Sequence, residues 1–189
     1  AIIVPRLLQA VEKWDPAGEV QAEVPIQEWF IPWVKVLEDR LETAGIFHTV
    51  RYKLAMFIKV WDPLESVVGV ALVQPWKVIF SSKAFDALSA QAILPRLRSL
   101  LHDRFEINPA QQDILPFQAV LQWVGVLPDA HVLALLETEF FPAWFRILHQ
   151  WLNASPDFSE VAQWYQGWKT LFPSTLLAYP GVERAFTQA

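Results

Sequence analysis

Cysteine is absent from the 189-residue chain, which removes disulfides, thiolate zinc sites and a thiol nucleophile in one step. A reducing compartment is therefore permitted, though not required. Glycine is scarce, at six residues, and nowhere forms the run that cradles a phosphate or makes a flexible linker. Charge is thin as well: Asp, Glu, Lys and Arg make up 19% of the chain, with a net charge of -5. A general nucleic-acid binder shows a basic surplus, and this sequence has none. Long apolar runs are missing too. The longest uncharged stretch, Ile114 to Pro128, is 15 residues and contains Gln118 and Gln122, too short for a membrane span. The opening AIIVPRLL has no Met, no basic n-region and no cleavage-like site. It is not a signal peptide, and the chain is expected to be a piece of a longer protein.

What remains is apolar and aromatic. Hydrophobic residues reach 53%, including ten Trp and thirteen Phe, ample for a packed interior. With so little charge, part of that apolar surface is expected to be covered by another segment or by a partner.

The aromatic residues keep time. Trp33/Leu37, Trp76/Phe80, Trp123/Leu127 and Trp168/Phe172 recur at spacings of 43, 47 and 45. Pro16, Pro63, Pro109 and Pro156 recur at 47, 46 and 47. Two independent markers on one beat predict about four units, each of two or three helices. A period of 43–47 residues is that of HEAT and armadillo repeats, whose units stack because none buries its apolar face alone. The expected fold is all-α, a single α-solenoid domain over residues 1–189.

Within the units, apolar residues at i, i+3, i+4 and i+7 predict helices with one buried face. Val4, Leu7, Leu8, Val11 and Trp14 form the first such stripe, which stops at Trp14-Asp15-Pro16. A second helix is expected from Pro25 through Trp29 and Trp33 to Leu41, bent at Pro32 and ended by Gly45. The second unit repeats the wording, placing Leu54 on Leu7, Ile58 on Val11 and Trp61 on Trp14. Asp62-Pro63-Leu64-Glu65 and Asn108-Pro109-Ala110-Gln111 read as reciprocal helix caps. In the fourth unit, Ser155-Pro156 and Asp157 to Glu160 offer overlapping caps. Residues 94–109 align with 141–156, pairing Pro95 with Pro142 and Leu101 with Leu148. Ala84 to Leu88 and His131 to Glu137 are expected as extra short helices. Val67 to Val73 is β-branched, but the repeat places it on a helix, and Gly181 onward starts another.

Convergent chemistry is hard to find. His48, His102, His131 and His149 lack partners at i+3 or i+4, so helical metal-ligand spacing is missing. The carboxylates Glu38, Asp39, Glu42, Glu137 and Glu139 fit wet helix faces better than an acid–base pair. The expectation is a non-enzymatic protein with no cofactor and no metal. Two places invite a partner. Arg96 and Arg98, with Arg104 and Lys83 near them in sequence, read as a wet helix face or as a patch for phosphate or an acidic surface. Trp164, Tyr165, Trp168 and Lys169 crowd one helix with more apolar residues than one buried face needs.

The strings EWFIPW (28–33), QPWKVIF (74–80), INPAQQD (107–113), FFPAWFRILHQWL (140–152) and WYQGWKTLF (164–172) occur here in one order. This wording resembles the GC-rich sequence DNA-binding factor-like (GCFC) domain, and most nearly its form in the tuftelin-interacting protein 11 family. The resemblance spans nearly the whole chain. It implies a nuclear factor of late-stage spliceosomes, which carries a G-patch that activates a DEAH-box RNA helicase for lariat release and spliceosome disassembly. No G-patch lies in these residues, so the share implied for this segment is docking to spliceosomal proteins or to a second GC-rich-factor-like protein. Two other readings stand beside it: a nucleic-acid-binding domain acting in transcription, which the acidic balance argues against, and an internal buttress of a longer chain.

Overall fold

The computed structural model describes residues 2–18 and 23–188, leaving aside the side chains of 38 and 39. The described residues are 76% helix and contain no strand. Cα packing groups the chain into two compact units, residues 1–96 and 97–189.

The first unit holds α1 (Ile3–Lys13), α2 (Ile26–Thr43), α3 (Ile46–Val60), α4 (Ser66–Val73) and α5 (Ser82–Leu88). Its core is the stripe the periodicity marks. Leu7 and Val11 of α1, Phe30 and Val34 of α2, and Val50, Leu54 and Ile58 of α3 are all buried. Trp76 stacks on Phe80 at 5.2 Å and meets Phe30 at 5.9 Å. α2 carries Pro32 inside it, and Gly45 follows its C-terminus at φ 73°, a left-handed turn that glycine enters without a Cβ penalty.

The helix ends of this unit are tied to later segments. Lys53 Nζ donates to the carbonyls of Glu12 at 2.7 Å and Trp14 at 2.5 Å, where α1 stops. Arg96 Nη2 donates to the Trp61 carbonyl at 2.7 Å, where α3 stops. In both places a cation meets the unsatisfied carbonyls and negative dipole end of a helix.

The second unit takes in most of α6 (Leu94–Asp103) and then α7 (Leu115–Leu121), α8 (Asp129–Leu135), α9 (Phe141–Leu152), α10 (Phe158–Leu171), α11 (Ser174–Leu177) and α12 (Pro180–Thr187). Its centre is aromatic. Phe117 lies 4.6 Å from Phe140, and Trp168 packs edge-on against both at 5.5 and 5.3 Å. Phe172 meets Phe186 of α12 at 5.1 Å.

The expected repeat has a local counterpart in backbone geometry. α5 and α8 begin 47 residues apart, and each runs into a π-helical turn, Ser89–Ile93 and Leu136–Phe140. In each the closing amide donates five residues back, Leu94 to Ser89 and Phe141 to Leu136. A proline follows at once, Pro95 or Pro142. A helix interior resists proline because the ring clashes and an N–H is lost; the wider π turn lets the chain pass without stopping. The tryptophan turns match as well. The Trp76 carbonyl accepts from Ile79 and Phe80 at 3.1 and 2.9 Å, and the Trp123 carbonyl from Val126 and Leu127 at 3.0 Å each.

Several expectations need correction. Ala84–Leu88 and His131–Glu137 are not separate short helices: each continues through its π turn into α6 or α9. The periodic prolines mark Asx turns more faithfully than helix starts. Asp15, Asp62, Asn108 and Asp157 accept through Oδ1 from the amides of Ala17, Leu64, Ala110 and Ser159 at 3.0, 3.1, 3.0 and 2.8 Å. Only Asp62 and Asp157 lead directly into helix, a 3-10 turn at Pro63–Glu65 and α10. After Asn108 the chain stays irregular to Leu115, and Gln112 rather than Gln111 closes the loop, its Oε1 accepting from the Asn108 amide at 2.9 Å. Residues 107–113 are too polar to supply a helix with a buried stripe, so the cap has nothing to cap. The tryptophan beat marks core at Trp76, Trp123 and Trp168, whereas Trp33 is 36% exposed on α2.

Candidate functional site

The residues singled out for partner contact fall into two groups. Trp164, Tyr165, Trp168 and Lys169 lie on α10. Trp168 is buried in the aromatic centre at 3% exposure. Trp164 is half-buried; it stacks on Trp144 at 5.6 Å with planes 8° apart and meets Trp151 edge-on at 5.8 Å. The Tyr165 hydroxyl donates to the Phe186 carbonyl at 2.6 Å, tying α10 to α12. The crowding on this helix is thus accounted for chiefly by its neighbours α9 and α12. What α10 leaves open is an opening of about 720 Å³ against the Asn108–Ala110 turn, bounded by Trp151, Trp164, Glu160 and Gln163.

The arginines are also spoken for locally. Arg96 holds the end of α3, as described. Arg98 points elsewhere, its Nε 3.3 Å from Glu139 Oε1, and His102 Nδ1 lies 3.5 Å from the other oxygen of that carboxylate. Glu139 therefore neutralises part of the basic face, which weakens it as a phosphate patch.

A different basic surface has no carboxylate among the described residues that line it. His48 and Arg51 of α3 and Lys83 of α5 line a groove of about 450 Å³ floored by alanines. Sequence reasoning missed it because Lys83 lies 35 residues along the chain from His48 and 32 from Arg51.

Groups suited to chemistry are sparse. Among the described residues no cluster of three His, Asp or Glu is placed to hold a metal ion, and no helix is long and apolar enough to cross a membrane. Tyr179 donates a short hydrogen bond to Asp129. That hydrogen bond, with lesser help from burial and the carboxylate's charge, raises the phenol above its ordinary range. Both groups stand at the surface. The pair joins the turn before α12 to the start of α8.

Comparison with known proteins places the chain. Residues 1–148 match the family profile described as GC-rich sequence DNA-binding factor-like protein. Curated relatives named tuftelin-interacting protein 11 from Xenopus tropicalis, Gallus gallus and Bos taurus are each 36% identical over 188 residues. These alignments cover the whole of this chain and 22% of each relative, so the chain spans about a fifth of their length. The matched region takes in the Trp14 and Trp61 helix ends, both π turns and the Trp76 and Trp123 turns. The chain belongs to the GC-rich sequence DNA-binding factor-like (GCFC) family and is related to tuftelin-interacting protein 11.

Proposed function

We propose that this chain is the helical scaffold domain of a nuclear pre-mRNA splicing factor, and that it docks that factor onto other proteins during late-stage spliceosome disassembly and lariat release. The observation that carries the reading is likeness, over the whole of this chain, to about a fifth of tuftelin-interacting protein 11. The resemblance stated from the sequence attaches that family to the disassembly step. In this reading residues 1–189 form one α-solenoid domain of about four HEAT/armadillo-like units. The matched π turns and tryptophan turns, one period apart, support repetition of the unit. The domain has no catalytic role and needs no cofactor. A DEAH-box RNA helicase is engaged by a G-patch elsewhere in the factor, while this segment meets spliceosomal proteins or a second GC-rich-factor-like protein.

Protein docking is favoured over nucleic-acid contact by charge. The net charge is -5, and the arginine face expected for phosphate has Arg98 paired with Glu139. Of the residues proposed for partner contact, Trp164, Tyr165, Lys169, Arg96 and Arg98 keep some exposed surface, while Trp168 is buried, edge-on to Trp164. A pull-down from nuclear extract with the 189-residue chain as bait, with and without RNase, tests the reading. Late-spliceosome proteins retained after RNase are expected. Loss of every partner on RNase treatment would transfer the role to RNA contact.

A further inference from the structure

The groove between α3 and the α5–π segment combines an apolar floor with a cationic rim. Ala55 of α3 faces Ala84, Ala87 and Ala92 across it, and no carboxylate among the described residues lines it. The Arg51 guanidinium is steadied over the Phe80 ring at 5.4 Å. The side chains of His48 and Lys83 make no hydrogen bond or ion pair among the described residues. Arg51 and Lys83 are two cations in a groove that no carboxylate among the described residues lines, which is unexpected in a chain of net charge -5.

The repeat supplies an internal control. Leu54 and Leu101 are both buried and lie 47 residues apart, which fixes the register between α3 and α6. In that register Arg51 corresponds to Arg98, and Ala92 corresponds to Glu139. At the later position the chain provides its own carboxylate: Glu139 leaves its π turn to meet Arg98 at 3.3 Å and His102 at 3.5 Å. At the earlier position the same π turn carries alanine, and Arg51 is left with only an aromatic face.

From this we infer that the His48/Arg51/Lys83 groove binds an acidic amphipathic helix of a partner protein, whose carboxylate takes the place that Glu139 holds one repeat later. The alanine floor lets the apolar ridge of a helix approach closely, and the cations meet Asp or Glu at its edges. Charge and shape together favour a peptide over a nucleic acid. A nucleic acid would need cations tracking successive phosphates and a platform of rings for bases to stack on, whereas the floor here is aliphatic. The inference deepens the docking reading and rests on it for context.

The test uses the 189-residue chain and a fluorescein-labelled amphipathic helical peptide with a Leu/Ala ridge flanked by Glu, read by fluorescence anisotropy. A matched peptide with Gln for Glu and a single-stranded RNA serve as the other arms. The Glu peptide should bind at least about tenfold more tightly than the Gln peptide, the size of one charged hydrogen bond. Lys83→Glu alters an exposed side chain with no partner and should cost about as much. Ala92→Glu, which recreates the later arrangement, should also block the peptide, with circular dichroism confirming the fold. Equal binding of the Gln peptide, indifference to Lys83→Glu, no binding, or tighter Lys83-dependent binding of the RNA would each overturn the inference. If the pull-down still retains spliceosomal proteins when the peptide fails, the groove assignment falls and the docking reading stands.

Discussion

Trp144 is where the packing of the second unit can be tested most sharply. Its side chain is fully buried in α9, with Trp164 stacked on one face at 5.6 Å and Phe186 edge-on at 5.4 Å. Tyr165 adds a tilted ring at 5.8 Å. Truncating a buried tryptophan to alanine costs about 3–5 kcal/mol, and loss of specific ring pairs puts this site at the upper end, about 4–5 kcal/mol. For a chain of this size each kcal/mol moves the melting temperature by roughly 2–4 °C, so Trp144→Ala should melt about 10 °C or more below the parent. Trp144→Phe separates two contributions. The indole Nε1 is buried with no hydrogen-bond partner among the described residues, and such an orphan costs about 1–3 kcal/mol. Phenylalanine removes that penalty while giving up a few carbons of burial, about 1–2 kcal/mol. The two nearly cancel, and Trp144→Phe should lie within about 1 kcal/mol of the parent. Urea unfolding followed by far-ultraviolet circular dichroism reads both variants. An alanine variant within about 1 kcal/mol of the parent would refute the packing. A phenylalanine variant as weak as alanine would refute the orphan N–H.

Three further outcomes follow from single residues. Trp123→Ala should cost about 3–5 kcal/mol because the ring is fully buried, and Trp33→Ala less than half of that because Trp33 is 36% exposed; equal costs in urea would show that the beat marks burial uniformly. Gly45→Ala and Gly125→Ala force a Cβ into φ of 73° and 79° and should each cost about 1–2 kcal/mol. Gly167→Ala, mid-helix in α10 with nothing within 4 Å of the new Cβ, should instead gain up to about 1 kcal/mol. Tyr179 should form phenolate at higher pH than free tyrosine, read as the 295 nm absorbance difference from Tyr179→Phe. Because its pKa is raised in the folded state, the contribution is present below the ordinary phenol pKa and is lost as pH rises through the folded one. Asp129→Ala should return the midpoint toward the ordinary value.

Much of the secondary structure was legible because it depends on local physics. The i, i+3, i+4 stripes of Leu7/Val11 and Leu54/Ile58 fixed α1 and α3, since only a helix puts those side chains on one face. Trp14-Asp15-Pro16 and Trp61-Asp62-Pro63 fixed their ends, since the residue before proline leaves the α region whatever surrounds it. The Asx turns and the left-handed Gly45 are local in the same sense. Where the sequence misled, a neighbour several residues away decided: Gln112 closed the Asn108 loop in place of a helix, and the π turns carried α5 and α8 past Pro95 and Pro142.

The sequence by itself determined an all-helical chain and its family, because periodicity, proline and glycine act over a few residues and family wording is linear. Tertiary structure alone decided which tryptophans are core, since Trp33 and Trp76 share a motif but only Trp76 meets Phe30 and Phe80. It alone decided that Arg98 is paired while no carboxylate among the described residues lines the groove of Arg51 and Lys83. Charge depends on distance through space, and no spacing along the chain reports whether a carboxylate lies 3.3 Å away, as Glu139 does from Arg98, or is absent, as at Ala92.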